Sequence, residues 1–561
     1  MRSRTLLMIF TLLFFVALLA LFPGIGELTG ITGKDEYYLT IRTPMHMIEG
    51  GHGWLPWLDG LPRLQKPPLM YWLGKISFEI FGISLLSARM IGVFFAAILV
   101  VTTAAISWLL NKDKGMAILT GLVILGMAGV MIDGRRYLLD IPVAAFSGLS
   151  VLFFLLWDRK FSYIYLGISM IFLGLAFLTK GPVTLIFYLT AVVSWWLTRS
   201  GEVSLRSWYW QKWIASFAIA FIIVLPWYIY IYQQYPEELS RTLLQEANDR
   251  NILNFSVSPL LNLTVLGLPW TIVLFALLLN YFRTNDSGTR RTHSNISFLS
   301  LWLLLSILPF FFFKTFGRYL YGCLIPLSIL ITALLSHHSD IRVFKNWFRV
   351  SASLSSLIGL FLFTLVLWFR EFDLALFFSF LMIAIFIYVW WQARNPMALA
   401  LTSVLYWFSV TVIIYPRLGI NAIPAGVESL IKNEYTVLYA GPQPAMLPVL
   451  VKRGLRATSR LWTLPPEVLT SCKGFLLFLP ENKLRMAKKQ MGDLSLDHEE
   501  LKRYKILSSR GSWARFTKEG TTLSDWKEAI RDQDLNSLGT DIFLLRVNAK
   551  PCQPGNLQNH D

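Results

Sequence analysis

The chain has 561 residues, 55% hydrophobic and 15% aromatic, with 51 Lys and Arg against 34 Asp and Glu for a formal charge of +17. A mean hydropathy of +0.53, with an apolar share above the roughly 45–50% of soluble domains, excludes an ordinary soluble protein and describes a polytopic membrane protein. The basic excess does not point to nucleic acid, because the Lys and Arg are spread among loops between apolar runs, as membrane topology favours.

Residues 5–22 form an apolar run behind Arg2 and Arg4. The run resembles a signal peptide, but it has no clear small-x-small cleavage site and its length of about 18 residues is enough to span. It is read as an uncleaved first transmembrane helix with its N-terminus in the cytoplasm.

Residues 24–68 are a polar loop punctuated by Gly and Pro, far longer than the few residues of a usual connector. Its aromatics and the apolar positions Leu39, Ile41, Met45 and Ile48 argue against disorder. They predict a short amphipathic helix, a loop and a second helix start at the membrane surface. Asp35 and Glu36 stand side by side before the first helical pattern. Taken alone they read as helix capping, with Thr32 and Asp35 spaced as in a capping box. Lys66 precedes Pro67 and Pro68. A residue before proline is held extended and proline favours a first helical turn, so Lys66 is predicted beside a helix N-terminus, a natural phosphate pocket. The plain alternative is a solvated lysine facing lipid headgroups.

Further apolar runs occupy residues 85–110, 116–131, 141–157, 163–179, 183–197, 213–232, 260–282, 298–313, 319–336, 350–369, 374–391 and 397–415. With the first they predict about thirteen transmembrane helices, several short for a bilayer of roughly 30 Å, which leaves one or two open to being re-entrant. An odd number puts the two termini on opposite sides. Alternate loops, at 111–115, 158–160, 199–212, 283–293, 342–349 and 392–394, are basic and poor in motifs, as cytoplasmic loops are. Loops on the other face, at 35–66, 133–140, 180–182, 235–254 and 314–319, mix acids and aromatics among their cations. Chemistry is expected there.

From residue 416 to 561 the pattern changes to short strands at 436–440, 474–479, 510–516 and 542–547, with amphipathic helices at 484–491 and 523–531. The expected organisation is a membrane domain over residues 1–415 followed by a soluble α/β domain that parity places on the extracytoplasmic side. Cys323 lies in an apolar run, while Cys472 and Cys552 either pair or remain free thiols. There is no CxxC or His/Cys cluster, no phosphate loop and no dinucleotide-binding glycine fingerprint, so direct use of a soluble nucleotide is unsupported.

Each remaining candidate has a plain reading. Asp140, in GRRYLLD, suits an interfacial acid paired with Arg135 or Arg136. Glu246 and Arg250, four apart in a helical segment, suit an exposed ion pair of about 0.3–0.5 kcal/mol. Lys180 suits a helix-end lysine that snorkels to the headgroups, and Arg318 with Tyr319 an interface anchor. Together, on one face of the membrane, Lys66, Arg250 and Arg318 with two acids suit a lipid-linked phosphate: the cations hold the phosphate while a carboxylate acts on an acceptor.

The series DEYY, LQKPPLMYW, GRRYLLD, FLTKGPV, PWYIYIYQQYP with EANDR, and FGRYLY followed by Pro326 resembles the protein mannosyltransferase and aminoarabinose transferase superfamily, the GT-C glycosyltransferases. The likeness runs in order over residues 1–415 and is greatest to the bacterial branch that includes the lipid A aminoarabinose transferase. It implies a polyprenyl-phosphate-sugar donor and an inverting transfer to a lipid, glycan or protein acceptor. It further implies that this transfer takes place on the periplasmic face of a bacterial inner membrane. Asp35 matches the family's catalytic acid, with Glu36 as the other half of the acidic pair, and Asp140 matches a second family acid. Lys66 and Arg250 match the cations that hold the donor phosphate, while Arg318 and Tyr319 match a motif near the lipid phosphate.

Two departures stand out. Glu246-Ala247 replaces a Glu-His pair, which leaves Glu246 as a lone candidate metal ligand and divalent-metal use open. Tyr38 replaces an arginine three residues after the catalytic acid, so neither lipid A nor aminoarabinose is implied. The alternative is a transporter or flippase of lipid-linked sugars, although transporters place their sites near the midplane and show internal repeats. A weaker third reading is a membrane scaffold whose C-terminal domain binds partners.

Overall fold

Apolar runs inside lipid must satisfy their own backbone, and an isolated segment does so only as a helix. The computed structural model describes residues 2–199, 207–249, 255–283, 290–313, 316–337, 340–431, 436–440, 447–458, 461, 466–469, 474–509 and 514–548. Every apolar run of the sequence lies in a helix or a pair of helices. Among the described residues, ten helices are long and apolar enough to cross a membrane alone. The expected thirteen therefore divide differently: Ser258–Leu266 and Trp270–Tyr281 are bent by 110° across Gly267-Leu268-Pro269, and Lys114–Leu125 and Val183–Arg199 are shorter apolar helices. The helices Leu85–Asn111, Asp140–Lys160 and Gly317–His337 are mostly buried and form the centre of the bundle, whereas the first helix turns most of its residues outward.

The long loop after the first helix is ordered. Asp35–Thr40 forms a six-residue π-helix, Arg42–Glu49 an α-helix, Trp57–Leu58 and Leu61–Pro62 a small hairpin, and Leu69–Phe81 a second α-helix. The hairpin turns at Asp59 (φ 54°) and Gly60 (φ 86°), the left-handed pair that a two-residue turn between twisted strands requires.

The C-terminal region is a five-stranded mixed sheet in the order Arg456–Ala457, Thr436–Tyr439, Phe475–Pro480, Thr540–Val547 and His498–Ile506. The first three strands are parallel and the last two antiparallel to their neighbours. Helices Glu481–Asp493 and Leu523–Arg531 accompany it. No strand occupies the described part of the expected 510–516 segment, and His498–Ile506 pairs at the edge instead. Its sequence, HEELKRYKI, is rich in charge because most of its residues face water, as a protected edge strand does.

This region sits on the long loop. Arg42, wholly buried, pairs with Asp59 and donates to the Leu455 carbonyl at 2.8 Å. Its guanidinium also lies over the rings of Tyr38 and Tyr439. Asp59 accepts from the Ala457 amide at 2.8 Å and Glu49 from the Gly454 amide at 2.6 Å. The sheet region and the long loop therefore share one end of the helix bundle.

Glu36 corrects a catalytic assignment. Its carboxylate is fully buried and accepts from Arg89 at 2.8 and 3.2 Å, Arg136 at 3.3 Å, Thr32 at 2.5 Å and the Tyr137 amide at 2.9 Å. Arg136 also pairs with Asp133 at 2.6 Å, and Asp133 accepts from the Tyr321 hydroxyl at 2.7 Å. With its acceptor positions filled, Glu36 ties the first long loop to the helix Leu85–Asn111 and to the loop ahead of Asp140. The capping reading also fails, since the Thr32 hydroxyl serves this carboxylate and the π-helix has no side-chain cap.

Burial alone pushes the Glu36 carboxyl up, but Arg89 and Arg136 outweigh it and hold the group at about 2, below its ordinary 4.5. A depressed folded-state value stabilises the protein above about pH 4.5, and that stabilisation is lost as the pH falls toward 2. Replacing Glu36 with Gln leaves two buried guanidiniums short of a counter-charge and is expected to cost about 3–5 kcal/mol. Thermal unfolding of the detergent-purified protein checks this, and an unchanged midpoint for Glu36→Gln would refute it.

Candidate functional site

The acids and cations singled out in the sequence start from distant segments, and the fold gathers most of them into one cavity of about 710 Å³. Asp35, Lys66, Asp140, Glu246, Arg318 and Tyr319 line it together with Arg63 and Lys180. Apolar groups from Val183, Ile186, Phe310, Phe313 and Phe316 complete the wall. Arg250 lies outside the described residues, as do Cys472 and Cys552, while Cys323 is a buried free thiol.

Local geometry explains each position. Asp35 opens the π-helix whose second residue is the anchored Glu36, so the two neighbouring acids point to different surroundings. Lys66 stands just ahead of the prolines and the helix that begins at Leu69, as its pre-proline position predicts. Asp140 is the first residue of the helix Asp140–Lys160, Lys180 the last of Tyr163–Lys180, and Arg318 and Tyr319 lie in the 3-10 turn Gly317–Cys323. Helix ends thus carry much of the lining.

The charges form a connected set. Arg318 pairs with Asp35 and reaches Asp140 at 3.5 Å. Lys180 pairs with the same Asp140, and its ammonium lies 3.6 Å from the centre of the Tyr319 ring. Lys66 pairs with Glu246 at 2.5 Å across 180 residues of sequence. Two plain readings are therefore replaced. Asp140 does not pair with Arg135 or Arg136: Arg135 donates to the carbonyls of Leu21 and Pro23, and Arg136 serves Glu36 and Asp133. Lys180 does not snorkel, because its side chain is buried in an ion pair. Burial of that pair needs compensation of this kind.

Sequence reasoning passed over Lys180 and Arg63 as site residues. Arg63 donates to the Tyr71 hydroxyl at 3.0 Å, with its guanidinium over the same ring. Four cations of the lining, Arg63, Lys66, Lys180 and Arg318, thus face three carboxylates, Asp35, Asp140 and Glu246. The surplus suits an anion, and the apolar wall suits a hydrocarbon chain attached to it.

Glu246, the candidate metal ligand, is engaged by a cation. Its carboxylate is held by the Lys66 ammonium, and among the described residues no group of three or more His, Cys, Asp or Glu comes together.

Comparison with known proteins follows the same line. The family described as "Dolichyl-phosphate-mannose-protein mannosyltransferase" matches residues 53–240. An uncharacterised protein of Aquifex aeolicus is 24% identical over 60% of this chain and 66% of its own length. An undecaprenyl phosphate-alpha-4-amino-4-deoxy-L-arabinose arabinosyl transferase of Proteus mirabilis is 28% identical over 56% of this chain and 57% of its own. The chain thus spans less than two thirds of the length of these curated relatives. The crystal structure of ArnT from Cupriavidus metallidurans bound to undecaprenyl phosphate superposes with a TM-score of 0.67, covering 95% of this chain and 97% of that one at 14% identity. The fold is shared throughout.

The Lys66–Glu246 pair is partly exposed, so its loss is expected to cost less than about 1 kcal/mol of stability. A charge-assisted contact to a phosphate is worth more. Lys66→Ala is expected to leave thermal stability nearly unchanged while weakening binding of a polyprenyl phosphate about tenfold, equivalent to about 1.4 kcal/mol. Titration of wild type and variant in detergent measures both, and equal affinities would remove Lys66 from phosphate binding.

Proposed function

We propose, on the premise that the chain belongs to the GT-C superfamily of protein mannosyltransferases and aminoarabinose transferases, that it transfers a sugar from a polyprenyl phosphate to a lipid, glycan or protein acceptor. The observation that carries this reading is the joint presence of Asp35, Asp140, Lys66, Lys180 and Arg318 in one cavity with an apolar wall. A cavity that only bound a lipid-linked sugar for transport would use the cations and their counter-charges, whereas transfer also calls for a base beside them, which Asp35 can supply.

The reaction assigns each group a task. Asp35 takes the proton from an acceptor hydroxyl, whose oxygen attacks the anomeric carbon on the face opposite the phosphate. The new glycosidic C–O bond forms as the bond to the phosphate oxygen breaks, so the configuration inverts. Polyprenyl phosphate leaves with the bonding electron pair and one more negative charge than it held as a diester. Lys66, Arg318 and Lys180 stabilise that growing charge, the point at which a preset cation contributes most. Asp140 positions Lys180 and Arg318 through their ion pairs. Arg250 is assigned to the donor phosphate by the superfamily resemblance.

The site is proposed to open on the periplasmic side of a bacterial inner membrane, with residues 416–561 as a soluble domain beside it. Tyr38 and the Glu246-Ala247 pair set the chain apart from the aminoarabinose branch, so its acceptor and sugar are not carried over from those relatives.

Replacing Asp35 with Asn removes the base but keeps the side-chain volume. In proteoliposomes with a polyprenyl-phosphate sugar, turnover is expected to fall by about 10²–10⁴ while donor binding persists. Wild-type turnover in the variant would take Asp35 out of the chemistry.

A further inference from the structure

The helix Leu523–Arg531 in the C-terminal region carries an apolar stripe that is exposed among the described residues. Leu523 and Ile530, seven residues apart and so on one face, are 82% and 42% exposed. Trp526 between them is partly buried and Ala529 wholly so, which turns that neighbouring face inward. Ser524, Glu528 and Arg531 occupy the far side, and Lys527 flanks the stripe. Two large exposed aliphatic groups side by side on a short helix invite a partner.

The position of the helix indicates which partner. Trp368 lies in the last turn of the membrane-spanning helix Lys345–Phe369, and its indole N–H donates to the Ile530 carbonyl at 2.9 Å. Trp368 is itself half-exposed, on a helix whose Phe361 and Leu367 also face outward. Just beyond the helix end, Phe372 and Leu374 are 58% and 70% exposed. Tryptophan at the end of a span marks the headgroup level. The stripe on Leu523–Arg531 is thus continuous with a lipid-facing surface and level with its edge.

We propose that the helix Leu523–Arg531 lies in the bilayer interface on the cavity's side, with Leu523 and Ile530 dipping into the acyl boundary and Lys527 reaching lipid phosphates. Short amphipathic helices bind membranes in this orientation, by apolar burial aided by flanking cations. The bilayer would then add a further hold on the C-terminal sheet region, beside its contacts through Arg42 and Asp59 on the long loop and through Trp368.

Nitroxide labels on Leu523→Cys, Ile530→Cys and Glu528→Cys test this, each in the full chain carrying Cys472→Ser and Cys552→Ser and reconstituted into phosphatidylcholine vesicles. Labels at 523 and 530 are expected to collide more with oxygen than with a water-soluble nickel chelate, and the label at 528 to show the reverse. Preference for nickel at 523 and 530 would place the stripe in open water and overturn the proposal. Shielding of both labels from both reagents would mean that protein, such as a second copy of the chain, covers the stripe, and would overturn it equally.

Discussion

A single buried carboxylate governs how the cavity is built. Glu36 receives hydrogen bonds from two arginines, a hydroxyl and a backbone amide that come from three separate stretches of chain. Coulombic attraction is strong in such a dry setting, and so is the penalty for any partner that fails to appear. The cluster therefore admits one relative placement of the first long loop, the helix Leu85–Asn111 and the segment ahead of Asp140. Asp35 is the residue immediately before Glu36. Its direction follows from the anchoring of its neighbour, within a π-helix closed by the Ile41 amide on the Glu36 carbonyl at 2.9 Å. Single-turn π segments occur often at functional sites, and here the segment turns one acid of a pair inward and the other toward the cavity.

The membrane bundle was readable from hydropathy because lipid leaves a run of apolar residues so few options. Where the reading slipped, the cause was local. Gly267 and Pro269 divide one apolar run into two helices at a steep angle, and a window that averages hydropathy does not register the bend. The strand His498–Ile506 hid behind its charges, and the Asp59-Gly60 turn was a legible hairpin signal that the apolar pattern around it obscured.

The cavity was legible in part. Lys66, Asp140, Arg318, Tyr319 and Asp35 were picked out by motif and by membrane face, and the fold does gather them. Glu36 was grouped with Asp35 because sequence records that two acids adjoin but not that their side chains diverge. Lys180 was set aside as a headgroup-facing lysine because its partner, Asp140, lies forty residues away in the chain and on another helix. Partners across that distance follow from tertiary packing, which no local pattern encodes. The pairing of Lys66 with Glu246 was hidden for the same reason.

Those internal pairs bear on the proposed reaction. Lys66, Lys180 and Arg318 each hold a protein carboxylate, so an anion entering the cavity would trade places with a resident one instead of meeting bare charge. Entry would thereby be less favourable than the number of cations suggests, and in the transfer proposed above the departure of the carrier lipid would be less costly, since the carboxylates would reclaim their partners. Under the proposed reaction a pocket wired in this way would reset itself, where a purely cationic one would be trapped by its own product.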